Sequence, residues 1–263
     1  MKNFFSKSEN KIVNKFNKNG YIIFDINKKK QLDNIRKKIL ILSRKNLKKK
    51  ITKIESIHNH LPKKELNKFK MKIYSELNKS KNFLNNYYSL GEDFLDVICG
   101  NELVMQRKVN LSIQMPDDDS SLLPLHSDVW SGCSPFEVVL WIPLVNCKKT
   151  QSMFIMPKIL NEQYYARIQN FNSVTEIEQQ VKKKVKWLTI KYGQGLIFLH
   201  SIMHGNMVNK EKDTRWSFNC RFKSVFSPYD DKSIGETFFP ITLRPASISG
   251  MQYSEPKVKN ARF

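Results

Sequence analysis

At 263 residues, with 40 % hydrophobic and 11 % aromatic side chains, the chain is long enough to bury a substantial core, and its 9 Gly and 10 Pro exclude a low-complexity or disordered polymer. The net charge of +21 is concentrated: residues 1–90 hold 24 Lys and Arg against 6 acidic residues, and residues 91–263 hold 21 against 18. Such a surface attracts anions, but Lys far outnumbers Arg, and Asn and Ile are abundant, as an AT-rich coding sequence would leave them. A solvated basic face is therefore the expectation, and the lysines are too dispersed for a nucleic-acid recognition patch.

Cys99, Cys133, Cys147 and Cys220 form no CxxC pair and no zinc-ribbon spacing. A reducing compartment follows as the default. The first residues lack an apolar signal segment, and charges interrupt every apolar run before it reaches the length of a membrane span, so a cytoplasmic protein is expected.

In chain order, residues 8–18 read as a helix capped by Ser8, with Ile12, Val13 and Phe16 on one face and Gly20 at its end. Residues 21–25 read as a strand. A helix follows over 28–47, with Leu32, Ile35, Ile39 and Leu42 as its buried stripe. Another helix is expected over 64–86, and a short one over 92–99 that stops at Gly100. Beyond Gly100 the period shortens. Residues 103–115 read as one or two strands, 135–145 as a buried strand bounded by prolines, and 152–156 as a short strand. A Lys-rich helix or insertion covers 160–184. Strands near 186–191 and 195–200 follow, joined by a turn at Gly193-Gln194-Gly195. Over 214–226 the residues alternate, with Arg215, Ser217, Asn219 and Arg221 on one face and Trp216, Phe218, Cys220 and Phe222 on the other.

Helices followed by many short strands predict a mainly β fold with α, a jelly roll or sandwich carrying N-terminal helices. One domain is expected over 1–263: a mainly helical part over 1–100, a core over 101–230 and a C-terminal extension over 231–263. No dinucleotide or P-loop fingerprint is present.

The chemistry concentrates in Pro124-Leu125-His126-Ser127-Asp128. A His and an Asp two apart on extended backbone project to the same side and can share a metal, with a third ligand supplied from elsewhere. Two His and one carboxylate on one face of an octahedron leave open positions, as in non-haem iron(II) oxygenases. Downstream, a strand runs to His200 and His204, and Arg215 opens the next. A forked, permanently charged guanidinium there suits a buried carboxylate, and Ser217 on the same strand face can donate a second hydrogen bond.

These residues resemble the phytanoyl-CoA dioxygenase-like branch of the 2-oxoglutarate/iron(II) oxygenases over most of the chain. The segments in question are Phe16–Ile23, His126-x-Asp128, Val139–Leu144, Thr150–Pro157, and the pair His204 and Arg215. Departures fall at Gln151, in place of a glycine, and at Lys158-Ile159-Leu160. The resemblance implies a double-stranded β-helix of the cupin-like kind, with iron(II) on His126, Asp128 and His204. It implies 2-oxoglutarate and O2 as cosubstrates and release of succinate and CO2. Arg215 and Ser217 would hold the far carboxylate, and Trp141, Thr150, Asn206 and Gln114 would complete the cosubstrate pocket. Keeping a carboxylate at position 128 implies hydroxylation rather than halogenation. Within that branch the chain is most similar to oxygenases of carbohydrate gene clusters, which implies a small-molecule substrate such as an anionic sugar.

Other readings stay open on the sequence. His200 points the same way as His204 and competes for the metal, the distance to Arg215 favouring His204. Arg221 shares a face with Arg215 and competes as the carboxylate anchor. Trp141 fits a core position equally well, and Trp130 is a further candidate for the pocket. His58-Asn59-His60 reads as a surface loop, and Asp117-Asp118-Asp119 as a solvated acidic one. A non-catalytic or zinc-binding cupin-like binding protein is the alternative function.

Overall fold

The computed structural model describes residues 4–229 and 231–254. Residues 255–263, the end of the expected C-terminal extension, lie outside the described part.

Helix α1 (Lys7–Asn19) starts one residue earlier than expected, and its cap is Ser6 rather than Ser8. Ser6 Oγ accepts the Glu9 N–H while the Glu9 carboxylate accepts the Ser6 N–H, a reciprocal box that Ser8, already helical, cannot form. Gly20 closes the helix at φ 73°, donating its N–H to Phe16 O, and the chain enters β1 (Tyr21–Asp25). Helix α2 (Lys29–Leu47) buries Leu32, Ile35 and Ile39.

The single helix expected over 64–86 is two, α3 (Leu66–Asn78) and α4 (Lys81–Ser89). The break has a local cause. Asn78 Nδ2 donates back to Tyr74 O and also to Val109 O, while Asn78 Oδ1 accepts the Val109 N–H. The side chain competes with the helical ladder and ties its end to the start of the sheet. Helix α5 (Glu92–Cys99) stops at Gly100 as expected.

The expected strand region 103–115 is β2 (Leu103–Gln106) and β3 (Asn110–Gln114), followed after the loop that carries His126 and Asp128 by β4 (Val138–Pro143) and β5 (Phe154–Ile155). The 160–184 insertion is α6 (Lys158–Tyr165) and α7 (Val174–Val181). Strands β6 (Lys186–Trp187), β7 (Gln194–Leu199), β8 (His204–Gly205) and β9 (Arg215–Ser224) follow, then β10 (Phe238–Thr242) and α8 (Pro245–Gln252).

Among the described residues the strands form two antiparallel sheets, the jelly-roll arrangement of a cupin-like fold. The large one runs β1-β7-β4-β9-β2-β10. Strand β9 is long enough to serve two partners on one edge, pairing β3 over Arg215–Asn219 and β2 over Phe222–Ser224. The small sheet runs β6-β5-β8, and an isolated bridge joins His126 to His204. Strand β10, in the stretch read from sequence as an extension, pairs with β2, and β1 from the helical N-terminal part pairs with β7.

The alternation of β9 organises the molecule. Its apolar face meets the helices: Phe69 of α3 packs edge-on to Trp216, and Phe83 and Tyr87 of α4 pack on Phe218. Burying an aromatic side chain there contributes about 1.5–3 kcal/mol. Tyr87 satisfies its hydroxyl by donating to Leu140 O, and Trp216 donates its indole N–H to Ile54 O. The polar face of the same strand, one residue out of step, turns into the space bounded by both sheets.

Candidate metal centre

His126 and His204 exchange both backbone hydrogen bonds, N–H to carbonyl at 2.9 Å each way. Two residues so paired on neighbouring extended segments set their side chains side by side, and the imidazole centroids stand 4.4 Å apart. The close approach depends on Gly205: a Cβ there would stand 2.8 Å from Leu123 O and 2.9 Å from Pro124 O. Ser127 is extended, at φ −122° and ψ 135°, which brings Asp128 back to the His126 side, and Asp128 then opens a short 3-10 turn to Ser131. The Ser127 hydroxyl, pointing the other way, is buried and donates to His200 O.

Ligating atoms of His126, Asp128 and His204 all lie within 4.8 Å of one another. Asp128 Oδ2 is 3.8 Å from His204 Nε2. Each imidazole has its other nitrogen engaged: His126 Nδ1 is 2.8 Å from Pro124 O, and His204 Nδ1 is 2.8 Å from Ile202 O. A carbonyl only accepts, so both Nδ1 atoms carry a proton, and the neutral tautomer of each ring places its lone pair on Nε2. That tautomer is the one a metal requires, and backbone carbonyls are common partners for metal-binding histidines. Burial, followed by the neighbouring His126, pushes His204 down to about 4, against the pull of Asp128, so the ring is neutral near pH 7. Burial raises the Asp128 carboxyl, but His204, His200, Arg221 and His126 together outweigh it and hold it below its ordinary range. The donor set of two imidazoles and one carboxylate fits a divalent transition metal.

His200 is not brought to this group. It is fully buried beside Asp128, its Nε2 4.0 Å from Asp128 Oδ2 and its Nδ1 3.3 Å from Glu137 Oε2. Arg221 is not a free anchor, because its Nη2 donates to Asp128 Oδ1 at 3.1 Å. Arg215 differs. It is 3 % exposed, donates from Nη2 to Ser112 Oγ at 3.1 Å, and leaves Nε without a partner. Burial lowers its pKa, and among the described residues no carboxylate pairs with it. Ser217, two residues on and fully buried, has a hydroxyl without a partner.

A cavity of about 550 Å³ opens onto this group, lined by His126, Asp128, His204, Arg215, Arg221 and Trp141 among others. Asn206 lines it too, with its amide committed to the backbone of Leu123 and Ser121. Besides His200, four sequence candidates do not line it: Ser217, Gln114, Thr150 and Trp130. Gln114 is buried and donates to Met207 O, leaving Oε1 unpartnered. Thr150 uses its hydroxyl to accept the Lys210 N–H at 2.9 Å. Trp130 stands beside Tyr165, ring centroids 6.3 Å apart. Sequence reading missed Lys70, Asn110, Ser112 and Asn219 on the cavity wall. The last three were within reach, since β3 and β9 pair in register and their inward positions alternate; Lys70 comes from α3 and carried no signal.

The acidic run does not form a site. Asp117 pairs with Lys210 at 2.7 Å, and Asp118 accepts from Ser120. His58 Nδ1 meets the Thr214 hydroxyl at 2.9 Å, so the His58–His60 segment is tied to the strand side rather than free.

No family model matches the sequence, and no curated protein matches it. Solved structures do resemble it. The non-heme monooxygenase ThoJ in its apo form is 12 % identical, aligned over 92 % of this chain and 93 % of its own, with a TM-score of 0.54. Apo HygX from Streptomyces hygroscopicus is 11 % identical over 87 % and 90 %, with a TM-score of 0.51. The non-heme alpha ketoglutarate dependent carbocyclase SnoK from nogalamycin biosynthesis is 12 % identical over 91 % and 97 %, with a TM-score of 0.50. HygX has also been solved with nickel, 2-oxoglutarate and hygromycin B bound. Likeness at these identities concerns the fold: this chain has the jelly-roll architecture of those non-heme enzymes.

Proposed function

We propose that the chain is an iron(II)- and 2-oxoglutarate-dependent dioxygenase that hydroxylates a small polar molecule, a sugar or carbohydrate precursor bearing negative charge. One observation carries the reading: one cavity is lined by both the His126/Asp128/His204 group and the buried Arg215, whose guanidinium meets no carboxylate among the described residues. A lone buried cation is costly, and a dicarboxylate spanning from the metal to Arg215 removes that cost.

In this reading His126 Nε2, His204 Nε2 and Asp128 would hold the metal. Arg221 neutralises Asp128 Oδ1 and fixes the carboxylate plane, so that Oδ2 faces the histidines. Arg215 takes the far carboxylate of the cosubstrate, and the Ser217 hydroxyl, orphaned at present, donates to the same group. Trp141 and Phe198 wall the cavity and exclude water from the reacting centre. When bound, iron(II) supplies the activation of O2, coupled to conversion of 2-oxoglutarate to succinate and CO2.

The substrate class rests on the wall. Asn110 and Asn219 bond to each other through one amide hydrogen, and Ser120 and Ser121 donate to Asp118 and Ile113 O, so the wall presents a polyol with their remaining amide and hydroxyl valences, and Lys70 adds an ammonium. Among the described residues no helix is long and apolar enough to cross a membrane. The reading takes the chain as one catalytic unit acting on a cytoplasmic small molecule.

The test is succinate release from 2-oxoglutarate with iron(II) and O2, screened over sugar acids, sugar phosphates, nucleotide sugars and small organic acids. Stimulation by one class over its neutral counterparts supports the proposal. Metal binding with no 2-oxoglutarate binding and no succinate would instead favour a zinc-binding, non-catalytic cupin-like protein.

A further inference from the structure

A second buried group adjoins Asp128. Atoms of Cys133, Glu137 and His200 lie within 4.8 Å of one another, all three residues buried. Both ring nitrogens of His200 and Glu137 Oε2 lack hydrogen-bond partners. The donor types suit a metal, but the charges oppose one. Lys223 Nζ stands 3.6 Å from Glu137 Oε1, and Lys232 Nζ stands 2.7 Å from Cys133 Sγ. A divalent cation would enter beside two ammonium groups.

The Lys232–Cys133 contact is the unusual one. Its 2.7 Å is shorter than the roughly 2.9–3.0 Å of a typical N–H···O bond, although sulfur is a larger atom than oxygen. Lys232 is also steered by donation to Ser131 O at 3.0 Å. One oxygen atom bonded to both Nζ and Sγ would hold them at such a separation. We propose that Lys232 and Cys133 are the two ends of an oxidative N–O–S cross-link, formed with dioxygen as the oxidant.

The step balances. The Lys232 ammonium and the Cys133 thiol consume one dioxygen molecule; one oxygen atom is inserted between Nζ and Sγ, the other leaves as water, and one proton is released. Nitrogen and sulfur each give up two electrons, and these reduce both oxygen atoms. Two equivalents of a dithiol reverse it, returning amine, thiol and water.

The two residues are 99 apart in sequence. The bridge would pin the turn that begins at Asp128 to the segment following β9. Ser131, which lines the cavity, lies between Asp128 and Cys133 and is itself held by Lys232. The clip would thus fix one wall of the cavity according to redox history, and it would constrain the unfolded chain as other long-range cross-links do. It does not depend on the activity proposed above.

The experiment is peptide mapping of the full chain, purified in air or anaerobically with reductant, alkylated under denaturing conditions. The air-exposed protein should yield a linked peptide pair containing Cys133 and Lys232, heavier than the two peptides by one oxygen less two hydrogens. Its Cys133 should resist alkylation until dithiothreitol is added, and the melting temperature should fall on that addition. The linked pair should be absent from Cys133→Ser and Lys232→Arg and retained in Cys147→Ala. Quantitative alkylation of Cys133 in aerated, unreduced wild-type protein would overturn the proposal. So would oxidation of Cys133 to a sulfinic acid with Lys232 unmodified. The wild-type comparison decides the matter even where a variant fails to fold.

Discussion

Arg221 Nη2 donates to Asp128 Oδ1 at 3.1 Å, which leaves Asp128 Oδ2 as the oxygen facing His204. The guanidinium therefore sets which carboxylate oxygen is offered to a metal. Arg221→Met should weaken nickel or cobalt binding by about 10–100-fold, the range typical of removing a group that orients a ligand. Calorimetric titration of the metal-free chain checks this. Equal affinity in the variant would show that Asp128 needs no such support.

Arg215 presents the opposite case, a buried charge without a counter-ion among the described residues. Arg215→Met should stabilise the ligand-free chain by about 1–3 kcal/mol, because it removes a desolvated cation and keeps the volume. The same change should raise the Kd for 2-oxoglutarate by at least about 100-fold, near 3 kcal/mol. Urea denaturation and ligand titration read the two effects separately. Loss of stability with retained cosubstrate binding would assign Arg215 a purely structural role.

Acid should destabilise the metal-free chain in a defined window. Burial above all pushes His204 down to about 4 and His200 to about 3. Imidazoles of the unfolded chain titrate near about 6.5, so on acidification the unfolded state takes up protons first. The stability these neutral rings contribute is complete above that value and is lost as pH falls toward the folded values, by about 3 kcal/mol for His204. Denaturation at pH 7.5 and pH 4.5 should show this loss, and a His200→Asn/His204→Asn double variant should show much less. An identical acid limb in both proteins would contradict the assignment.

Gly205→Ala should separate the two histidine strands. The added methyl meets the carbonyls of Leu123 and Pro124 and the Phe154 ring tip at 2.7 Å. With backbone on two sides and little room to yield, the expected cost is about 2–4 kcal/mol, together with loss of metal binding. Asn78→Ala serves as the contrast. It removes the tie between α3 and Val109 and should cost about 1–2 kcal/mol while leaving metal affinity unchanged.

The sequence made the jelly roll legible because its strands alternate so plainly. Residues 215–222 present polar and apolar faces in strict turn, and the structure uses one for the cavity and the other for the helices. His126-x-Asp128 was readable because an extended residue between them fixes their common side. What escaped were features decided by distant partners. Asn78 splits a helix because Val109 is there to receive it. Thr150 lies outside the pocket lining, its hydroxyl bonded to the Lys210 N–H from a loop 60 residues on. The choice between His200 and His204 was legible only through the distance to Arg215, which favours His204; the backbone pairing with His126 sets the His204 ring beside the His126 ring, while His200 lies between Asp128 and Glu137. Lys70 reaches the cavity from α3 in the helical part of the chain, and its spacing carries no trace of that.

The central claim is that one metal on His126, Asp128 and His204 and one guanidinium at Arg215 together seat a dicarboxylate. Its most direct test is calorimetric titration of 2-oxoglutarate into the nickel-loaded and the metal-free chain, repeated for Asp128→Ala and Arg215→Met. The account predicts stoichiometric binding to the nickel-loaded wild type, and little or none to the metal-free chain or to either variant. Equal binding to the metal-free chain, or undiminished binding after loss of the Asp128 carboxylate, would contradict it.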